Sequence, residues 1–323
     1  MSSIEERALV IVLALLVDAF LGEPEWLWAR IPHPVVLIGR AIGGLDSALN
    51  REGAPPARRR AGGVFAIASL VLAALIAGQL LALLFELLPL TVLLQALVVA
   101  VLVAARSLHD HVAAVALGLA GGGLAGGRAA VARIVGRDPA SLDAPAVARA
   151  AIESAGENFS DGVVAPVFWF ALLGLPGILA YKAINTADSM VGHLTARHRD
   201  FGMATARLDD VANFVPARLA GGLIAAGALL AREDGAGAVR AMFDDAHRHR
   251  SPNAGWPEAA MAGALGLALA GPRSYGGVRV DDAWLNRGAR REAGVADIRR
   301  ALNLLRCALL AHGAVYALLA ILF

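Results

Sequence analysis

Cysteine is nearly absent. The 323-residue chain has one, Cys307, which excludes an intrachain disulfide and any cysteine-based metal centre. Lysine is almost as scarce: Lys182 is the single lysine among 29 basic residues. Charged residues make up 17% of the chain, against a usual ~25%. A net charge of +2, with arginines scattered rather than striped, argues against nucleic acid as a partner. The glycine-rich GLAGGGLAGGR lacks the Gly-Lys-Ser/Thr ending of a Walker loop, so it reads as a flexible turn.

What remains is apolar. Hydrophobic residues make up 58% of the sequence, and the mean hydropathy is +0.62. These values belong to an integral membrane protein and predict an all-α, polytopic helical bundle. The opening MSSIEERALVIVLALLVDAFLG carries Glu5 and Glu6 and lacks a small-residue cleavage site, so it reads as an uncleaved anchor. Trp26, Trp28 and Arg30 fit an interfacial belt, and His33 sits in a rigid turn between two prolines. Charge-free runs at 61–85 and 87–105 predict a transmembrane hairpin behind the Arg58, Arg59 and Arg60 cluster.

Later apolar runs are shorter or broken. The run at 162–181 contains Pro166, Gly174, Pro176 and Gly177, while 219–231 and 259–272 hold only 13 and 14 residues. Basic residues occur in every polar connection except 86–90: six in 23–60, five in 106–161, five in 182–218, four in 232–258 and eight in 273–306. If every run crossed, half of these would lie on the wrong side of the membrane. The expectation is therefore that 162–181 and the two short runs dip or lie flat, with an even number of crossings between 162 and 272. The whole chain, 1–323, reads as one membrane-embedded catalytic domain, with 106–161 a cytoplasmic helical insertion and a polar site facing the cytoplasm.

Three polar blocks carry the chemistry. ESAGENFSDG supplies Glu153, Glu157, Asn158, Ser160 and Asp161, on a helix expected to start at an Asp143 cap with Pro145 in its first turn. The second block, YKAINTADSM through ARLDDVANFVPARL, supplies Lys182, Asn185, Asp188, Arg207, Asp209, Asp210, Asn213 and Arg218. The third, HRHRSPNAGWPE, offers Ser251, Asn253 and Glu258; His247 and His249, two apart in a basic run, suit a phosphate better than a metal. Glu153 and Glu157 are four apart, Asn185 and Asp188 three, Asp209 and Asn213 four, so each pair can share a helix face. Carboxylates facing each other repel unless a cation lies between them. Magnesium takes oxygen ligands, which suits Asp188, Asp209 and Asp210. Lys182, Arg207 and Arg218 suit phosphate. The blocks are expected to converge on one magnesium–phosphate site.

At these residues the chain resembles a known family. ESxxENxSDGVVAP, KAxNTxDSMVG, RxxxFGxAxARLDDxxNxxPARL and HxSPNxGxPExAMAGALG are similar to the CobD/CbiB family of adenosylcobinamide-phosphate synthases, as are HPVVLIGR and RSLHDH. Gly156, Phe159 and His198 depart from its pattern. The resemblance implies an enzyme of the inner membrane that uses ATP and magnesium. It would join (R)-1-amino-2-propanol, or its O-phosphate, to the f propionate carboxylate of adenosylcobyric acid, forming an amide. It further implies proton transfer by Glu153 or Glu157, charge neutralisation by Lys182, and substrate or ATP contacts from Asn158, Asp161, Asn185, Arg207, Asn213, Arg218, His33, Ser251, Asn253 and Glu258. Other late cobalamin-assembly enzymes, or a second copy of the chain, are the expected protein partners. Two alternatives compete: an intramembrane prenyltransferase, for which DDVAN would act as a diphosphate clamp, and a non-enzymatic corrinoid-handling protein.

Overall fold

Helices account for most of the computed structural model, which describes residues 3–22, 24–136, 138–275 and 278–323. In chain order they are α1 (Ile4–Leu21), α2 (Glu25–Trp28), α3 (Pro34–Leu49), α4 (Pro56–Glu86), α5 (Thr91–Leu102), α6 (Ala105–Val131) and α7 (Ala144–Phe159). There follow α8 (Ala165–Leu173), α9 (Leu175–Val191), α10 (Met203–Ala231), α11 (Gly235–Asp245), α12 (Gly255–Leu265) and α13 (Val295–Leu322). Two small antiparallel ribbons separate α12 from α13. One pairs β1 (Leu269–Ala270) with β4 (Trp284–Leu285); the other pairs β2 (Arg273–Tyr275) with β3 (Val278–Val280).

Among the described residues four helical stretches are long and apolar enough to cross a membrane: Pro56–Glu86, Thr91–Val131, Met203–Ala231 and Val295–Leu322. The chain is a membrane protein of the all-α class. α4 presents Phe65, Leu72, Ile76 and Leu80 outward, as a lipid-facing helix must when no soluble partner covers it. One expectation is corrected here. The run at 219–231 does not lie flat as a short segment; it is the tail of the 29-residue α10, which continues through Pro216. Asp209, Asp210 and Asn213 made that helix look interrupted in sequence, yet a helix tolerates polar residues along one stripe. The second leg of the 87–105 hairpin opens with α5 and, past a local departure from helical geometry at Val103, runs on into α6, so that Thr91–Val131 as a whole is long and apolar enough to cross. The 162–181 run is broken where its glycine and proline predicted: Gly174 has φ +66° and Pro176 opens α9.

The glycine-rich stretch does turn, at a single residue. Gly123 adopts φ +58° inside α6, a value open to glycine at little cost. The helix reverses there closely enough that Gly118 and Gly126 meet backbone to backbone.

The chain folds as two units. The first comprises Met1–Val103, Ala165–Asn213 and Tyr316–Phe323; the second comprises Ala104–Val164 and Phe214–Val315. The stretch 106–161, expected as a cytoplasmic helical insertion within one domain, falls in the second unit. In the first, α9 packs along α4 and beside α8, burying Ile67, Leu70, Tyr181, Ile184, Val191 and Phe201 in one core. In the second, α12 packs on α11 and α7. The small-residue face of α12 serves close approach, because Gly263 meets the Gly237 carbonyl. An ion-pair network closes this unit: Arg300 binds Glu233 and Asp297, and Arg290 meets Asp297 at 2.7 Å.

Candidate functional site

In the first unit, α9 and α10 carry the acidic block. Lys182, Asn185 and Asp188 lie on successive turns of α9, and Arg207, Asp209, Asp210 and Asn213 on the first turns of α10. The Asp209–Asn213 spacing does what helical geometry allows: Asn213 Nδ2 donates to Asp209 Oδ2 at 3.0 Å. Asn213 is itself fixed, since its Oδ1 accepts from Tyr181 Oη at 2.9 Å and the residue is 1% exposed. Tyr181 is a site residue that sequence reasoning missed; its place in an apolar run beside Lys182 disguised it as core. Asp209 Oδ1 is buried without a well-formed hydrogen bond. Asn185 approaches the same carboxylate, and Asp188 and Asp210 stand near enough to repel it.

Asp188 belongs to this cluster through an unexpected support. Its carboxylate lies over the backbone of Gly192, where any side chain would overlap it. Burial pushes Asp188 above the usual carboxylate range; His193 opposes this and Asp210 adds to it. Arg207, on the first turns of α10, is exposed. Among the described residues no three Asp, Glu, His or Cys side chains close into a metal cage. Two carboxylates and amide oxygens suffice for magnesium, whose remaining positions water and phosphate oxygens fill. The buried Asp209 oxygen beside Asp188 fits such an ion.

In the second unit, α7 starts as expected, with Asp143 accepting from Ala146 N at 2.8 Å. Glu153 and Glu157 share that helix but not an environment. Glu153 is 4% exposed and accepts from Ala270 N at 2.8 Å, whereas Glu157 and Asn158 are exposed. One carboxylate is engaged by β1, and the other faces out. Arg149, one turn before Glu153, lies 5.5 Å over Trp284, the β4 partner of Ala270. Asn158 donates back to Ser154 O at 2.8 Å. Asp161 is half-buried in a π-turn spanning Ser160–Val164, a geometry common at functional sites.

The third block meets the first here. Gly156 of α7 has the Pro257 carbonyl and Met261 so close that an added methyl would crowd both. Ser251 Oγ accepts from Ala254 N at 3.1 Å and so shapes the expected turn. Glu258, 2% exposed in the first turn of α12, lies 3.7 Å from His249 Nε2, while His249 Nδ1 accepts from Ser251 N at 3.1 Å. Arg218 joins the tail of the second block to this turn. Its guanidinium stacks 3.6 Å from Phe214 and 4.7 Å from Trp256, and donates to Asn253 Oδ1 at 3.1 Å. Trp256 is a further partner that spacing alone did not reveal, and His249, read from the sequence as suited to a phosphate, lies against Glu258 and Ser251. His33, expected in a turn or at the site, caps α3: its Nδ1 accepts from Val35 N at 3.2 Å and its ring meets Trp28 edge-on at 4.5 Å.

The predicted residues are divided between the two units, with His33 at the α3 cap of the first. Lys182, Asn185, Asp188, Arg207, Asp209, Asp210 and Asn213 lie in the first unit. Glu153, Glu157, Asn158, Asp161, Arg218, Ser251, Asn253 and Glu258 lie in the second unit.

A sequence model described as CobD/CbiB protein matches residues 11–305. "Cobalamin biosynthesis protein CobD" of Sinorhizobium sp. is 56% identical over 297 residues, covering 91% of this chain and 92% of its own. The protein of the same name from Brucella suis is 52% identical over 306 residues, 93% of each chain. That from Rhodobacter capsulatus is 48% identical over 316 residues, 98% of each. No solved structure matches the chain.

Proposed function

This chain belongs to the CobD/CbiB protein family, and from that premise we propose that it acts in cobalamin biosynthesis as an ATP-dependent amide synthase. The substrates are adenosylcobyric acid and (R)-1-amino-2-propanol O-phosphate, and the product is adenosylcobinamide phosphate. The enzyme resides in the inner membrane with its polar residues open to the cytoplasm. The observation that supports it most directly is the Asp209 carboxylate, braced by Asn213 and Tyr181, with one buried oxygen left for a cation beside Asp188.

A carboxylate is a poor electrophile, so it must be activated. Its oxygen attacks the γ-phosphorus of ATP, ADP departs, and an acyl phosphate forms. The amine nitrogen then attacks the acyl carbon, phosphate leaves, and the nitrogen gives up a proton. Asp188 and Asp209 would hold magnesium, with Asp210 at their side; the ion supplies charge neutralisation and orientation for the phosphates. Lys182 offers a compact ammonium to the γ-phosphate, and Arg207 a second cation. Glu157, exposed and one turn beyond the engaged Glu153, takes the amine proton. Arg218, Asn253, Ser251 and Glu258 shape the turn that receives the substrate's polar groups, and Asn158 and Asp161 of the same unit offer further polar contacts.

The test is reconstitution. Purified protein in detergent, given both organic substrates and Mg-ATP, should yield the amide and ADP in equal amounts. Asp209→Asn and Lys182→Ala should each lose the product. Amide formation without ATP consumption, or wild-type turnover in both variants, overturns the assignment.

A further inference from the structure

We propose that the α3–α4 corner is a positioning device for the acidic pair: Asp46, Asn50, Arg59 and Arg60 grip the 192–202 connection between α9 and α10, and so fix Asp188 against Asp209. The proposal rests on the metal–phosphate assignment above and extends it to residues outside the three polar blocks.

Asp188 and Asp209 sit on different helices, and the chain between them is an eleven-residue turn-rich connection, 192–202. Its outer part, from His193 to Arg197, is exposed. Left to itself such a segment would be soft, and two carboxylates at its ends would not hold a fixed separation. The corner removes that freedom. Arg197 donates to Asp46 Oδ2 at 2.7 and 3.2 Å. The Arg197 carbonyl accepts from Asn50 Nδ2 at 3.1 Å and from the Arg59 guanidinium. Asn50 Nδ2 also donates to Asp46 Oδ1 at 2.7 Å, and Arg59 Nε donates to Asn50 Oδ1 at 2.8 Å. His198 Nε2 lies 3.5 Å from Asp46 Oδ1. Further along, Arg60 Nε donates to Asp200 Oδ1 at 2.9 Å, and Phe201 is buried in the α4–α9 core.

Asn50 is 3% exposed, which places it in a built network and not in a surface coating. Gly192, at the start of the connection, lies beneath the Asp188 carboxylate, so a shift of the connection moves that carboxylate directly. The Arg58, Arg59 and Arg60 cluster thereby has two uses. Arg58 faces outward, as a cation beside the membrane should, while Arg59 and Arg60 donate to groups of their own unit. Residues that orient metal ligands typically change affinity by about 10- to 100-fold when altered.

The experiment uses the full chain in lipid nanodiscs, with Mn2+ and a non-hydrolysable ATP analogue. Electron paramagnetic resonance reads Mn2+ binding, and hydrogen exchange reads residues 185–213. Asp46→Asn should weaken Mn2+ binding about tenfold and speed exchange through 192–202. The swap Asp46→Arg with Arg197→Asp should recover most of both. Mn2+ affinity and exchange that stay at wild-type values in Asp46→Asn overturn the proposal. If wild-type protein binds no Mn2+, the metal–phosphate assignment fails by itself. Exchange then decides the clamp: unaltered protection of 185–213 in Asp46→Asn sinks it, and faster exchange sustains it.

Discussion

Glu153 is the residue at which motif and structure diverge most usefully, and substituting it separates a strut from a base. Its carboxylate accepts from Ala270 N at 2.8 Å, with Glu153 at 4% and Ala270 at 5% exposure. Ala270 has φ +60°, a left-handed value that costs a non-glycine residue roughly 1–2 kcal/mol. The hydrogen bond offsets that strain. Glu153→Ala strands a buried N–H, at about 1–3 kcal/mol, and opens a void that adds roughly 1 kcal/mol or more. A loss of about 3 kcal/mol is therefore expected, enough to lower the unfolding temperature by several degrees. Glu153→Gln keeps an acceptor oxygen and exchanges a charge-assisted bond for a neutral one, so about 1 kcal/mol is expected. Thermal unfolding in detergent and single-turnover amide formation read the two effects separately. The strut role predicts that Glu153→Gln keeps turnover within about threefold of wild type, while Glu157→Gln loses the 10²- to 10⁴-fold characteristic of a general base. A Glu153→Gln protein of wild-type stability with turnover down a hundredfold would show that the buried carboxylate moves the proton after all.

Two further outcomes follow from the same geometry. Arg218→Lys should raise KM for the organic substrates and destabilise the second unit by about 2 kcal/mol, since an ammonium cannot both stack between Phe214 and Trp256 and reach Asn253; unfolding and KM measurements at wild-type values would refute it. Burial acts to raise the Asp46 carboxyl, but hydrogen bonds from Arg197 and Asn50, with the charges of Arg197 and His198, outweigh it and hold the group below the usual range. Because the folded-state value is the lower one, its contribution is whole above the unfolded value near ~3.9 and disappears as pH falls through the folded value. Hydrogen exchange over 192–202 should therefore accelerate only below about pH 4, and acceleration already present at pH 6 would refute that account.

Much of this protein is legible in its sequence, because much of it is local. Composition alone assigns it to helical membrane proteins, where lipid leaves the backbone no partner but its own turns. The Asp143 cap, the break at Gly174 and Pro176, the turn in the glycine-rich stretch and the Asp209–Asn213 bond are all set within a few residues of chain. Burial is not local. Glu153 and Glu157 have the same helical spacing as Asp209 and Asn213, yet one is sealed against β1 and the other faces out, because residues more than a hundred positions away cover only the first. The same holds for Asp188 seated on Gly192, for the Asp46–Arg197 grip and for the length of α10. Periodicity says which side chains can share a face; only the packing of distant helices decides what that face meets.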